Sequence, residues 1–85
     1  MAGYNVLLRE SVRKDLDSIP RDDLRRVVAR IGNLAHDPRP IGCEKLTGQE
    51  RYRIRQGNYR IIYSIQDLEL TVWVVKVAHW REVYR

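Results

Sequence analysis

Tyr52-Arg53-Ile54-Arg55-Gln56-Gly57-Asn58-Tyr59-Arg60-Ile61-Ile62-Tyr63 is the stretch whose reading decides the fold. Two alternating runs rich in β-formers flank Gly57-Asn58, a dipeptide suited to a tight hairpin turn. With those two residues as the turn, Gln56 faces Tyr59, Arg55 faces Arg60, Ile54 faces Ile61 and Arg53 faces Ile62. Side chains alternate faces along a strand. Arg53, Arg55 and Arg60 therefore share one face, and Tyr52, Ile54, Ile61 and Tyr63 share the other.

Like charges directly opposite each other weaken a sheet. Two guanidinium groups at close range repel by roughly 1 kcal/mol even in bulk water, and by more beside a low-dielectric surface. A fold gains nothing from gathering three of them, whereas an anion with several oxygens does, because the planar fork of arginine matches phosphate geometry. The plain alternative is a solvated basic face.

The chain of 85 residues is long enough for one small core, and 44% hydrophobic with 32% charged residues is an ordinary globular balance. The net charge of +5 and a pI near 9.8 favour a polyanionic partner, either nucleic acid or an acidic protein. No run reaches the ~20 apolar residues of a membrane span, and no signal-peptide core opens the chain. The expectation is a cytoplasmic protein with no membrane partner. The single Cys43 excludes an internal disulfide and a cysteine-built zinc site, and is read as a small hydrophobe.

Ahead of the hairpin, Tyr4-Asn5-Val6-Leu7-Leu8 reads as a first strand. Ser11 is placed to cap a helix with Val12, Leu16 and Ile19 on one side, and Pro20 stops it. Asp22 and Asp23 open a second helix, where negative charge suits the dipole. Its apolar stripe is Leu24, Val27, Val28, Ile31, Leu34 and Ala35, with Arg21, Arg25, Arg26 and Arg30 largely off it. Asp37-Pro38-Arg39-Pro40 begins a loop, and Glu44-Lys45-Leu46-Thr47-Gly48 leads into the hairpin. Leu70 to Ala78 is a last, strongly β-forming run. The order β-α-α-β-β-β predicts an α+β fold: an antiparallel sheet with a two-helix pair packed on one face.

A four-residue turn at Gln66-Asp67-Leu68-Glu69 pairs Ile65 with Leu70, Ile62 with Trp73 and Arg60 with Val75. In that register Trp73, Val75, Val77, His79 and Arg81 join the arginine face, while Leu70, Val72 and Val74 join Ile61, Tyr63 and Ile65 against the helices. A one-residue bulge reverses the assignment.

The tail His79-Trp80-Arg81-Glu82-Val83-Tyr84-Arg85 packs an imidazole, a phenol, two aromatic rings and two cations into seven residues. Cleavage of RNA by its own 2′-hydroxyl needs a base for that hydroxyl, cations for the crowded phosphorane and an acid for the leaving oxygen. Side-chain cations can serve without a metal, and a preorganised donor contributes several kcal/mol. Splayed bases stack on aromatic or guanidinium planes. Arg53, Arg55 and Arg60 are the candidates for phosphate, Tyr84 or His79 for proton transfer, and Trp80 or Tyr84 for stacking. No Gly-rich phosphate loop, metal-ligand pattern or Ser-His-Asp set is present. His36 and His79 are too separated to suggest a metal site by spacing, and no cofactor is expected.

Leu46-Thr47-Gly48, Tyr52 to Arg55, Gly57 to Tyr63 and His79 to Tyr84 together resemble the RelE/ParE superfamily of bacterial and archaeal toxins, most nearly its RelE branch. The resemblance spans nearly the whole chain. It implies one domain over 1–85 with the RelE-like microbial RNase fold. It also implies a metal-independent, ribosome-dependent endoribonuclease that cuts mRNA in the A site and is silenced by a cognate antitoxin. On that resemblance Arg53 and Arg55 contact RNA and take part in the chemistry, Arg60 contacts the scissile phosphate region, and Tyr84 stacks on a base and assists cleavage. Lys45 and Trp80 join the RNA contacts, and His79 and Arg81 complete the catalytic set.

Where well-known members carry lysines on the first strand of the hairpin, this chain has Arg53 and Arg55. A lysine of lowered pKa can lose its proton, but an arginine stays protonated. His79 or Tyr84 must then take the proton. Many members read Gly-His-Arg at the end of the last strand; here it is Ala78-His79-Trp80, with Arg81 one place later. The alternatives are the ParE branch, which shares the fold and inhibits DNA gyrase without cutting RNA, and a non-catalytic RNA-binding domain.

Overall fold

The hairpin at Gly57-Asn58 is the centre of the sheet, and the other strands add to its two sides. The computed structural model describes residues 3–48 and 50–83. Along the chain run β1 (Asn5–Leu8), α1 (Glu10–Asp17), α2 (Arg21–Asn33), β2 (Glu44–Lys45), β3 (Tyr52–Gln56), β4 (Tyr59–Gln66), a 3₁₀ turn (Asp67–Glu69), β5 (Thr71–His79) and α3 (Trp80–Val83). The strands form one sheet in the order β1-β5-β4-β3-β2.

The β3–β4 register is the expected one, from Gln56 opposite Tyr59 to Tyr52 opposite Tyr63. Gly57 has φ +59 and Asn58 is not in the left-handed region. Positive φ at the first central residue alone matches a type II′ turn, which follows the twist of its strands. The α+β layout with the helix pair on one face stands as expected. The sheet itself is mixed, because β1 lies parallel to β5. Tight turns impose antiparallel pairing only on the strands they join, and some sixty residues separate β1 from β5.

Val12 of α1, Val27 and Ile31 of α2, and Leu34 just beyond it pack onto Ile54, Ile61, Tyr63, Val72, Val74 and Val77 of the sheet. Each such burial is worth about 1.5–3 kcal/mol before entropy is counted. The stripe of α2 is narrower than its apolar sequence suggests, since Val28 is half exposed. Neither helix is capped by a side chain. Arg9 holds the N-cap position of α1, with Ser11 inside the helix, and Pro20 holds that of α2. Pro20 therefore ends one helix and begins the next: its fixed φ of −55 is already in place there and its carbonyl accepts the N–H of Leu24 at 2.8 Å.

The loop after α2 is fastened from two sides. The buried Tyr63 hydroxyl donates to the Pro38 carbonyl at 2.8 Å, and burial pushes the phenol up so that it stays a donor. Arg39 then reaches Asp67 through two guanidinium nitrogens, at 2.9 and 3.2 Å, and donates from Nε to the Tyr52 hydroxyl at 3.3 Å. The Tyr4 hydroxyl donates to the same Asp67 carboxylate at 2.7 Å. The Arg39 bonds, followed by that of Tyr4, hold Asp67 at about 2, against an ordinary 3.8.

A depressed carboxylate contributes stability above its unfolded pKa and loses it as pH falls through its folded one. Thermal melts of the wild type between pH 6 and pH 2 should therefore steepen below about pH 4. Asp67→Asn should melt lower at pH 6 and lack that extra slope. Parallel curves for the two proteins would show that the clamp carries no linkage.

Candidate RNA-binding site

The open face of the sheet, away from the helices, gathers the three arginines as the hairpin register requires. Arg55 lies opposite Arg60 and Arg53 opposite Ile62. On the outer side of β3, β2 sets Glu44 opposite Arg53. Glu44, Arg53, Arg55, Arg60 and Gly42 line a cavity of about 310 Å³. Arg53 Nε lies 3.2 Å from Glu44 Oε1, and Arg55 Nε donates to the Gly57 carbonyl at 3.0 Å. Both bonds fix the guanidinium planes. Gly42 turns the chain into β2 with φ +94, a conformation that a side chain would strain.

A cavity walled by three permanent cations and open to solvent suits a phosphodiester, whose two non-bridging oxygens can accept from separate guanidinium groups. Of the residues named from the sequence, Arg53, Arg55 and Arg60 are brought together here. Lys45 is not. Its partner across the ladder is Tyr52, on the helix side, and its ammonium lies 3.8 Å from Glu50. Strand alternation puts its neighbour Glu44 on the arginine face instead. The sequence pattern alone carried a signal for this residue only through the register of a two-residue strand.

His79 is also displaced from the expected face. From the turn, β4 and β5 pair as Gln66–Thr71, Ser64–Trp73 and Tyr63–Val74, and then shift, so that Ile62 lies opposite Lys76 and Tyr59 opposite His79. Val75 is the extra residue. Before the bulge Val72 and Val74 face the core and Trp73 the open side, as expected, but Ile65 lies opposite Val72 and not Leu70, which falls in the turn at φ +47 and is exposed rather than in the core. After it, Lys76 and Ala78 take the open side, while Val77 and His79 turn toward the helices. The placement of Val77 and His79 beside the arginines is thus overturned.

Asp15 of α1 sits at this bulge, its Oδ2 accepting the Val77 N–H at 3.1 Å and its Oδ1 3.4 Å from Lys76 Nζ. Asp15 also lines a separate cleft of about 280 Å³, with Ser18, Ile19, Tyr59, Val77, Ala78 and His79. The His79 ring meets Tyr59 edge-on at 5.6 Å. Its Nδ1 accepts the Arg81 N–H at 3.3 Å, which leaves the proton of the neutral ring on Nε2.

The tail is tied to the hairpin tip, where Trp80 N–H donates to the Asn58 carbonyl at 2.8 Å. Trp80 is 41% exposed, enough to offer a ring face, and the Arg81 guanidinium lies over that ring at 5.5 Å. Neither residue lines the arginine cavity. Tyr84 lies outside the described residues.

The family model for the ParE toxin of the type II toxin–antitoxin system parDE matches residues 6–84. The chain belongs to the RelE/ParE toxin superfamily. Its curated relatives include Toxin RelG of Mycobacterium tuberculosis, 33% identical over 96% of this chain and 97% of that one. Among solved structures, a chain of the archaeal RelE–RelB complex from Pyrococcus horikoshii matches at TM-score 0.81 and 30% identity, covering 93% of this chain and 96% of that one. The M. tuberculosis toxin–antitoxin complex RelBE2 matches at TM-score 0.81 and 30% identity, covering 91% and 98%. This is a RelE-like toxin by sequence and by fold.

Proposed function

We propose that this RelE-like toxin is a ribosome-dependent endoribonuclease that cuts mRNA in the A site through the RNA's own 2′-hydroxyl, and that a cognate antitoxin neutralises it. The observation that carries the reading is the cavity on the open face, where Arg53, Arg55 and Arg60 converge. Arginines donate to the non-bridging oxygens and strengthen those bonds as the phosphorane gathers charge, which is the condition for accelerating the step rather than merely binding RNA. No metal ion is needed if these three groups supply the positive charge. Trp80 at the hairpin tip offers a ring for an unstacked base, and Tyr84 is the tail's second stacking group.

The antitoxin follows from the relatives, which were solved as RelE–RelB and RelBE2 complexes, and from a net charge of +5 that suits an acidic partner. Inhibition of DNA gyrase is the second reading, favoured by the ParE name of the matching family.

Induced expression in a bacterial host, with primer extension across a reporter mRNA, separates the two. Growth arrest with cuts at in-frame positions is the expected result. Arrest with intact mRNA points to gyrase, and neither arrest nor cuts leaves a non-catalytic RNA-binding module.

A further inference from the structure

The open face of the sheet continues past the arginine cavity. Beyond Arg60, strand alternation puts Ile62, Ser64 and Gln66 of β4 on this side. Ser64 lies opposite Trp73 of β5, and Trp73 lies opposite Leu7 of β1. Two residues on, Arg9 holds its guanidinium over the Trp73 ring, 5.8 Å from the ring centre. Arg9 makes no ion pair among the described residues.

A tryptophan that served only to fill the core would lie under the helices. Trp73 is half-buried on the opposite side and outside the core cluster. Its surroundings are polar as well as charged. Gln66 Nε2 donates to Ser64 Oγ at 3.3 Å, which leaves the hydroxyl its own proton to give. Gln66 Oε1 is buried and has no hydrogen-bond partner among the described residues. Leaving such an acceptor unmade is costly. A base amine brought in beside the ring supplies the missing donor after a turn of the amide.

We infer that Arg9 and Trp73 form a second nucleotide subsite, which stacks a base of the same RNA strand whose phosphate Arg53, Arg55 and Arg60 hold. The inference rests on the reading of the arginine cavity as the RNA site. Unstacked bases of single strands settle on indole and guanidinium planes, and Arg9 adds a charge for the phosphate. From Arg60 to Ser64, four residues at ~3.3 Å each put the subsite about 13 Å from the cavity. That exceeds the ~3.4 Å step between stacked neighbours. The subsite therefore holds a different nucleotide from the one at the arginines, with the strand crossing Ile62 between them. An apolar peptide would want an apolar floor, whereas here a cation covers the ring and an amide and a hydroxyl flank it. Four arginines on one face call for an anion.

Fluorescence anisotropy with 2′-O-methyl oligoadenylates of two and eight nucleotides, which lack the 2′-hydroxyl needed for cleavage, tests the subsite on the full chain at low salt. The wild type should bind the longer strand more tightly. Trp73→Leu keeps apolar bulk and removes the stacking face. It should bind the longer strand about tenfold more weakly and the dinucleotide as the wild type does. Trp73→Phe should recover most of that loss. Arg9→Gln should also weaken the longer strand alone, and should flatten the slope of log affinity against log salt by about 0.7. A thermal melt checks the fold of each variant. Equal binding of the longer strand by wild type and Trp73→Leu, an equal loss at both lengths, or a wild type that binds neither strand overturns the subsite. A Trp73→Leu that loses affinity for the antitoxin and none for RNA gives the face to a peptide and overturns it too. No strand is cut in this assay, so the nuclease reading is judged separately. A wild type that leaves ribosome-bound mRNA intact removes that reading, while the length-dependent loss in Trp73→Leu still upholds the subsite.

Discussion

Arg60→Ala is expected to lower mRNA cleavage by about 10²- to 10³-fold, the loss that follows removal of one preorganised donor from a developing oxyanion. Growth arrest should disappear with it. Stability should change little, because Arg60 lies directly opposite Arg55 and the substitution relieves a like-charge pair on the sheet. Primer extension reads the first effect and a thermal melt the second. Arg60→Lys is the informative companion. It keeps a positive charge but not the planar fork, so it should recover part of the binding and little of the rate. Undiminished cutting by Arg60→Ala would move the chemistry off the hairpin altogether, since Arg53 and Arg55 share one strand and Arg60 is what closes the cavity from β4.

The division between what the sequence discloses and what it conceals follows the range of the interactions. The hairpin is local: a two-residue turn and strict alternation fix every pair from Gln56–Tyr59 to Tyr52–Tyr63, and the arginine face comes with it. The bulge at Val75 is not local. The side chain that meets it, Asp15, is 62 residues from Val77, and nothing in Leu70 to Ala78 marks an extra residue. One misplaced residue then carries His79 to the other face. Glu44 was hidden for a related reason. Charge complementarity to RNA draws attention to Lys45, and only the ladder between β2 and β3 reveals that the acidic neighbour faces the arginines. The parallel edge strand β1 is likewise set by packing across the sheet, through bonds such as Asn5 N–H to the Leu70 carbonyl at 2.8 Å, and not by its own residues.

Tyr63 links the stability of the core to the shape of the cavity, and its substitution should have the largest effect on folding. The side chain is fully buried, stacks on Tyr52 at 5.9 Å between ring centres and donates to the Pro38 carbonyl. Tyr63→Ala removes the ring from the centre of the sheet and should cost about 3–5 kcal/mol. For an 85-residue chain whose stability is on the order of 5–15 kcal/mol, that leaves a partly unfolded population. Each kcal/mol lowers the melting temperature of a domain this size by about 4–8 °C.

Tyr63→Phe separates the two contributions, since it keeps the ring and deletes the donor. It leaves the Pro38 carbonyl without its buried partner, at about 1–3 kcal/mol. The same bond fastens the loop that runs through Gly42 to Glu44, one wall of the cavity. Amide exchange should therefore accelerate over residues 39–45 in Tyr63→Phe. Cleavage should weaken although Arg53, Arg55 and Arg60 are untouched. Faster exchange with unchanged cleavage would mean that the arginine hairpin alone holds the site, and that the wall contributed by Gly42 and Glu44 is dispensable.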